Sequence, residues 1–384
     1  MSGNQKGFSG HMGKKIVLCF DGTGNSFQNP NEDSNVVKLY STLIINDRQR
    51  GYYHPGVGTM GDPNSGNDLN RKLSKLRGLA FGKGLLPNVG DAYRYLMDTY
   101  ADGDEIYLFG FSRGAFTARA FASLIHVYGL LCAGNQGCIP YILDMYALDS
   151  RKAQHQRAFK PNHVFQWQFS HKHRVTIHFC GLWDTVSSYG WIYDPIQLPF
   201  LGNNPIIKIG RNAISIDERR CFYQDNLWGD PESDQDIRQV WFRGVHSDVG
   251  GSYPESESGL AKIALEWMLV EAAKAGLEID AHKAETILGR AGHGYLPKYV
   301  PPDKNGLVHK SLSGWWWAFE FLPQKDPHKG KGYCIPLGRR RVIPQDAIVH
   351  ESVEGTNSFP EDGNHPREPW VPYTAQRSYS ASPS

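Results

Sequence analysis

Residues Tyr107-Leu108-Phe109-Gly110-Phe111-Ser112-Arg113-Gly114-Ala115 read as a short apolar strand, a G-x-S-x-G turn and the start of a helix. Residues 106–109 are apolar enough for a buried parallel strand. Two glycines flank the serine, where such a turn is too tight for side chains. Ala115, Ala118, Ala122 and Ile125 then recur at helical spacing, and small residues on that stripe let a helix pack closely on a sheet. A bare G-x-S-x-G arises by chance in a chain with 41 glycines. The strand–turn–helix setting is what makes this one informative.

The rest of the chain repeats the same alternation. Strands are expected at residues 15–20, 51–54, 174–180 and 237–242. Helices are expected at 36–45, at 89–100 with Asn88 as N-cap, at 213–227, and at 260–275, the last amphipathic and closed by Gly276. Residues 190–210 read as a loop. Strands alternating with helices predict an α/β fold, a mostly parallel central sheet with helices on both faces. In such sheets function collects beyond the carboxyl ends of the strands. Four polar turns fall there: 21–25, the turn at Ser112, the one at Asp184, and 246–251.

The chain has 384 residues with a net charge of +2. No basic block points to nucleic acid, and Arg339-Arg340-Arg341 reads as a solvated edge. No apolar run reaches the roughly 18 residues a membrane span needs. No apolar leader core is seen near the N-terminus, so a cytoplasmic location is expected, with export by another route left open. Six cysteines occur without a C-x-x-C, and free thiols are expected, although Cys132 and Cys138 flank a loop they are able to bridge. Residues 1–13 are expected to be a flexible lead-in. Residues 14–355 are expected to form the catalytic domain, with insertions near 60–84, 132–170 and 295–335, and the 132–170 insertion is expected to act as a cap. Residues 356–384 read as a loose tail.

A serine hydroxyl is a weak nucleophile until a base takes its proton and a third group orients that base. Ser112, Asp184 and His246 occur in the order Ser, acid, His, each just after a predicted strand. They are assigned as nucleophile, orienting acid and general base. Among 15 histidines, His350 is the main rival base, because it too follows a strand-like run. His178 reads as a packed core residue. The oxyanion of an acyl-transfer intermediate needs backbone donors. Arg113, next after the serine, is one candidate, and Gly22 with Thr23 is the other. Asp21 and Asp248 are site-supporting candidates, and Asp248 also competes with Asp184 as the partner carboxylate.

Other chemistries fit less well. A phosphatase of the haloacid dehalogenase type needs an aspartate where Cys19 stands. Residues 78–84 lack the spacing and the hydroxyl of a P-loop. His171, His173, His178 and Cys180 on one strand would split between two faces, which argues against a zinc site built from them. No cofactor is expected. Trp315-Trp316-Trp317 with Phe319 and Phe321 reads first as core cover, then as a pocket wall or a lipid-facing surface.

Six segments together resemble the α/β-hydrolase domains that share their catalytic domain with phospholipase effectors of type VI secretion. They are residues 16–25, 53–59, 110–114, 181–186, 217–220 and 245–251. The resemblance implies an α/β-hydrolase fold and a triad on Ser112, Asp184 and His246. It departs at Asn212, where the family often has histidine. It supports ester hydrolysis better than phospholipase or toxin activity, because little of the chain lies outside the hydrolase domain. The expected substrate is a small-molecule or lipid ester, with peripheral membrane contact as a further expectation. The alternatives are a non-catalytic scaffold of the same fold and a metal-dependent phosphoester hydrolase using Asp21 and Asp248.

Overall fold

A computed structural model describes residues 13–22, 32–56, 85–153, 161–186, 190–191, 194–195, 198–292, 298–314, 316–325, 332–358 and 365–373. The expected lead-in up to residue 12, Thr23 and the 60–84 excursion lie outside the described residues.

The central sheet has eight strands: β1 Lys15–Phe20, β2 Gln49–His54, β3 Glu105–Phe111, β4 Ile177–Trp183, β5 Ile207–Ser215, β6 Asp236–Phe242, β7 Ile348–His350 and β8 Arg367–Glu368. Their order is β8-β7-β6-β5-β4-β3-β1-β2, and every neighbouring pair is parallel. Parallel neighbours need crossovers, and the crossover helices cover both faces. The alternation within β1 sorts the two cores. Ile16, Leu18 and Phe20 face one core with α2 (Leu85–Thr99) and α3 (Arg113–Tyr128). Val17 and Cys19 face the other, with α1 (Asn35–Thr42) and α7 (Gly259–Lys274).

Several boundaries differ from expectation. α1 stops at Thr42, and Ser34 Oγ caps its start by accepting from Val37 N–H. α2 begins at Leu85, so Asn88 lies inside it rather than capping it. The expected helix at 213–227 is absent. Ile207–Ser215 is a buried strand between β4 and β6, followed by a single helical turn at Cys221–Tyr223. The apolar run Ala213-Ile214 suits either state, and burial on both faces of the sheet decided for the strand. α4 (Ile139–Ala153) and α5 (His163–Phe169) fall within residues 132–170, and α4 buries Ile139, Ile142 and Tyr146 in the α2–α3 core. α7 is not amphipathic: its residues from Gly259 to Ala272 are buried. Part of its polar side is covered by the segment expected to be loose. Trp370 Nε1–H and Tyr373 N–H both donate to Glu266, and Trp267 Nε1–H donates to Glu368 in β8. Residues 365–373 are thus packed on the sheet edge. All six cysteines are free, so Cys132 and Cys138 are not bridged. His178 is half-buried against Ala275 O and the Tyr107 ring rather than in the core. Among the described residues no helix is long and apolar enough to cross a membrane.

The start of α3 lies hard against the end of β1. A Cβ on Gly114 would stand 2.1 Å from Phe20 O and 2.5 Å from Asp21 O. Neither backbone oxygen is free to move without distorting the sheet. Gly114→Ala is therefore expected to cost about 2 kcal/mol or more. Urea denaturation checks this, and an unchanged midpoint would contradict the close approach.

Candidate active site

β3 ends at Phe111 and α3 begins at Arg113, which leaves Ser112 alone to make the turn, at φ 58° and ψ −120°. A non-glycine residue there is strained, and the surroundings must hold it. Its N–H donates to Trp183 O at 3.0 Å, and its carbonyl accepts from Phe116 N–H at 3.2 Å. A Cβ on Gly110 would meet Ala115 Cα and Gly114 O at 2.6 Å, so α3 closes onto the strand only because that residue is glycine.

Asp184 follows β4, also at positive φ (41°), with its N–H donated to Ala213 O at 2.7 Å. His246 follows β6 through Gly244, at φ 110°, and opens the short helix α6 (His246–Gly250). These three strand ends bring Ser112, His246 and Asp184 into one hydrogen-bonded run. His246 Nε2 lies 2.8 Å from Ser112 Oγ, and His246 Nδ1 lies 2.5 Å from Asp184 Oδ2. All three residues are buried. Burial by itself would push the Asp184 carboxyl up. The Arg341 guanidinium, then the bond and charge of His246, outweigh burial and hold it well below the usual carboxylate range. Burial lowers His246, and the Asp184 bond opposes that only in part. An ionised Asp184 makes Nδ1 the protonated nitrogen, which leaves Nε2 to accept the Ser112 proton. His350, the rival base, stands elsewhere: it is buried against Phe242, and its Nδ1 is bonded to Ser352 Oγ.

Sequence patterns missed the groups that hold this run in place. Arg341, expected at a solvated edge, is buried on Asp184. Nothing in a triplet of arginines distinguishes the one that turns inward. Glu218, inside the segment 217–220, is buried and accepts from His246 N–H, from Arg220 and from Ser311 Oγ. Phe111 lies against one side of the imidazole and Tyr223 meets it edge-on. Arg220 lies over the Tyr223 ring, its carbon 3.6 Å from the centroid.

The remaining candidates sit as follows. Gly22 is beside the serine, since a Cβ on it would be 3.5 Å from Ser112 Cβ. Its N–H donates to Asp21 Oδ1 at 2.6 Å. Asp21 also accepts from Tyr53 O–H at 2.6 Å, so it braces this loop. Arg113 heads α3. Asp248 does not pair with His246. It accepts from Val245 N–H, and its Oδ1 lies 2.6 Å from His309 Nδ1. Among the described residues no group of three or more His, Cys, Asp or Glu is placed to hold a metal ion.

A parallel sheet whose third strand ends in a strained serine, with acid and histidine on later strand ends, defines the α/β-hydrolase class. Within that class, the chain belongs to the Tle1-like phospholipase effector catalytic-domain family of the type VI secretion system, whose model matches residues 14–271. It is 38% identical over 218 residues to the uncharacterized protein YEL023C of Saccharomyces cerevisiae, which covers 54% of this chain and 32% of that protein. The chain therefore spans about a third of the length of that relative. The crystal structure of an uncharacterized protein from Pseudomonas aeruginosa is similar with a TM-score of 0.41 at 20% identity, covering 70% of this chain and 47% of the other. The Tle1 effector bound to the VgrG spike from the Type 6 secretion system gives 0.36 at 18%, over 64% and 52%.

The Glu218 carboxyl gives this site a pH signature. Burial would raise it, but the Arg220 bond and charge bring it from 4.5 down to about 2. A carboxyl depressed on folding contributes stability above its unfolded value and loses that contribution as pH falls through the folded one. Glu218→Gln is expected to be less stable than wild type by about 3 kcal/mol at neutral pH, with the gap closing between about pH 5 and pH 2. Denaturation curves across that range check it, and a pH-independent gap would contradict the ionised pairing.

Proposed function

We propose that this chain is a serine hydrolase that cleaves carboxylic esters of lipids through an acyl-enzyme on Ser112. The observation that carries the reading is the unbroken run from Ser112 Oγ through His246 to Asp184 at the tip of a strained turn. His246 Nε2 takes the Ser112 proton as Oγ bonds to the ester carbonyl carbon. Asp184 stabilises the imidazolium that results. The tetrahedral adduct then collapses, breaking the bond to the alcohol oxygen, and the alcohol leaves with the proton from Nε2. Water attacks the acyl-enzyme by the same route, releases the carboxylic acid and restores the serine. The Arg113 N–H is the first oxyanion donor. Because the Gly22 N–H is committed to Asp21, Thr23 is the candidate for the second.

Lipid as the substrate class is supported by the family's description as a phospholipase catalytic domain and by the surface beside the site. Trp317, Phe321, Leu337 and Val342 are 39%, 61%, 50% and 58% exposed, and Arg339 and Arg340 are exposed among them. They belong to the part of the chain that sends Arg341 to Asp184 and Trp316 to Tyr223. Aromatic and aliphatic side chains beside arginines suit the interface of an anionic bilayer.

A fluorophosphonate probe is expected to label wild type and His350→Ala, and to fail on Ser112→Ala and His246→Ala while both stay folded. Labelling that survives Ser112→Ala would sink the assignment. Turnover of p-nitrophenyl esters and of phospholipid vesicles, run beside Ser112→Ala, reads the substrate class. Vesicles with anionic lipid are expected to co-sediment with wild type more than with Trp317→Ala/Arg339→Ala. Equal sedimentation would remove the membrane-facing role of this surface.

A further inference from the structure

Arg341 lies beyond residues 14–271, the span that the family model matches. Its side chain is 5% exposed and reaches into the site from outside that span. Nη1 donates to Asp184 Oδ1 at 2.5 Å and Nη2 to Asp184 Oδ2 at 3.1 Å. Nη1 also donates to Ser215 O at 3.0 Å and Ser215 Oγ at 2.8 Å, and Nη2 donates to Tyr223 O. A planar fork on both carboxylate oxygens fixes the plane of the carboxylate as well as its charge. Oδ1 takes two further donors, Ser215 N–H at 2.9 Å and Ser215 Oγ–H at 3.1 Å, which leaves Oδ2 aimed at His246 Nδ1. A buried carboxylate facing only a neutral imidazole would be a costly charge, and the arginine compensates it.

The segment that carries Arg341 is itself built in. Glu320, fully buried, accepts from Gly338 N–H with one oxygen and from Cys221 N–H with the other. Its carbonyl accepts from Leu337 N–H at 3.1 Å. Arg219 Nε–H donates to Gly338 O at 2.7 Å. Leu337 and Gly338 both turn at positive φ, 52° and 64°. This corner places the arginine three residues later, while Arg339, Arg340 and Val342 stay outside.

We infer that Arg341 is a positioning residue of the acyl-transfer site, holding the Asp184 carboxylate aligned on His246 and offsetting its charge, so that the catalytic unit extends past residue 271. The inference rests on the serine-hydrolase reading above. Facing His246 are Ser112, Asp184, Glu218 through the His246 backbone N–H, Arg220, and the rings of Phe111 and Tyr223. Removing the Arg341 cation leaves Asp184 and Glu218 opposed by Arg220 alone, a more negative field that favours the imidazolium. The titration of His246 then moves up, and with it the acid limb of kcat/KM.

The test uses the full chain as wild type, Arg341→Met and Arg341→Lys, with Arg48→Met and Arg94→Met as exposed controls. The His246 midpoint is read by NMR of labelled histidine, which needs no turnover, and kcat/KM is read against pH on a short-chain p-nitrophenyl ester. Arg341→Met is expected to raise the midpoint by about one pH unit and cut kcat roughly ten-fold or more at unchanged KM. Arg341→Lys keeps the cation and loses the fork, so its midpoint stays while kcat falls several-fold. The two controls match wild type. An unchanged midpoint in folded Arg341→Met overturns the inference. If that variant does not fold, wild-type kcat in Arg341→Lys overturns it. Absence of Ser112-dependent turnover would instead sink the hydrolase reading and leave the NMR comparison standing.

Discussion

Asp184 is a buried carboxylate on which three distant parts of the chain converge. It stands at the end of β4, takes two donors from Ser215 at the end of β5, faces His246 from the turn after β6, and is clamped by Arg341 from the C-terminal third. A charge in that place is costly unless donors such as these compensate it. Sheet order, the corner around Glu320 and the registration of α6 are therefore tied to one another through a single side chain. This gives a physical reason why the domain continues well past its last long helix.

The second constraint is steric. Gly110 and Gly114 let β3, α3 and β1 approach within distances that no Cβ permits, and Ser112 takes the strain that results. The serine is thereby pointed at His246 before any substrate arrives. Pre-organisation of this kind lowers the cost of reaching the attacking geometry, because the turn is already made in the folded state.

How much of this was legible in the sequence follows from locality. The elbow, Asp184 and His246 each stand directly after an apolar run, so chain order and strand-end position identified them. The strand at 207–215 looks locally like loop and then helix, because its mix of Lys208, Gly210, Arg211 and Asn212 has no strand period on its own. Its identity comes from β4 and β6 on either side. Arg341 looks like surface in the sequence for the same reason: a contact across 157 positions leaves no local trace. The tail after residue 356 has a composition typical of loose segments, yet Glu368 and Trp370 pack on α7, and only the fold reveals that α7 has a polar side needing cover.

The central claim is that a covalent acyl group passes through Ser112. Quenching the reaction with a slowly released ester during the first turnovers, then measuring intact and peptide masses, tests it most directly. The account predicts an acyl increment on the peptide containing Ser112, formed at up to one equivalent and lost on the timescale of turnover. An active protein that never carries the increment, or carries it on another residue, would contradict it.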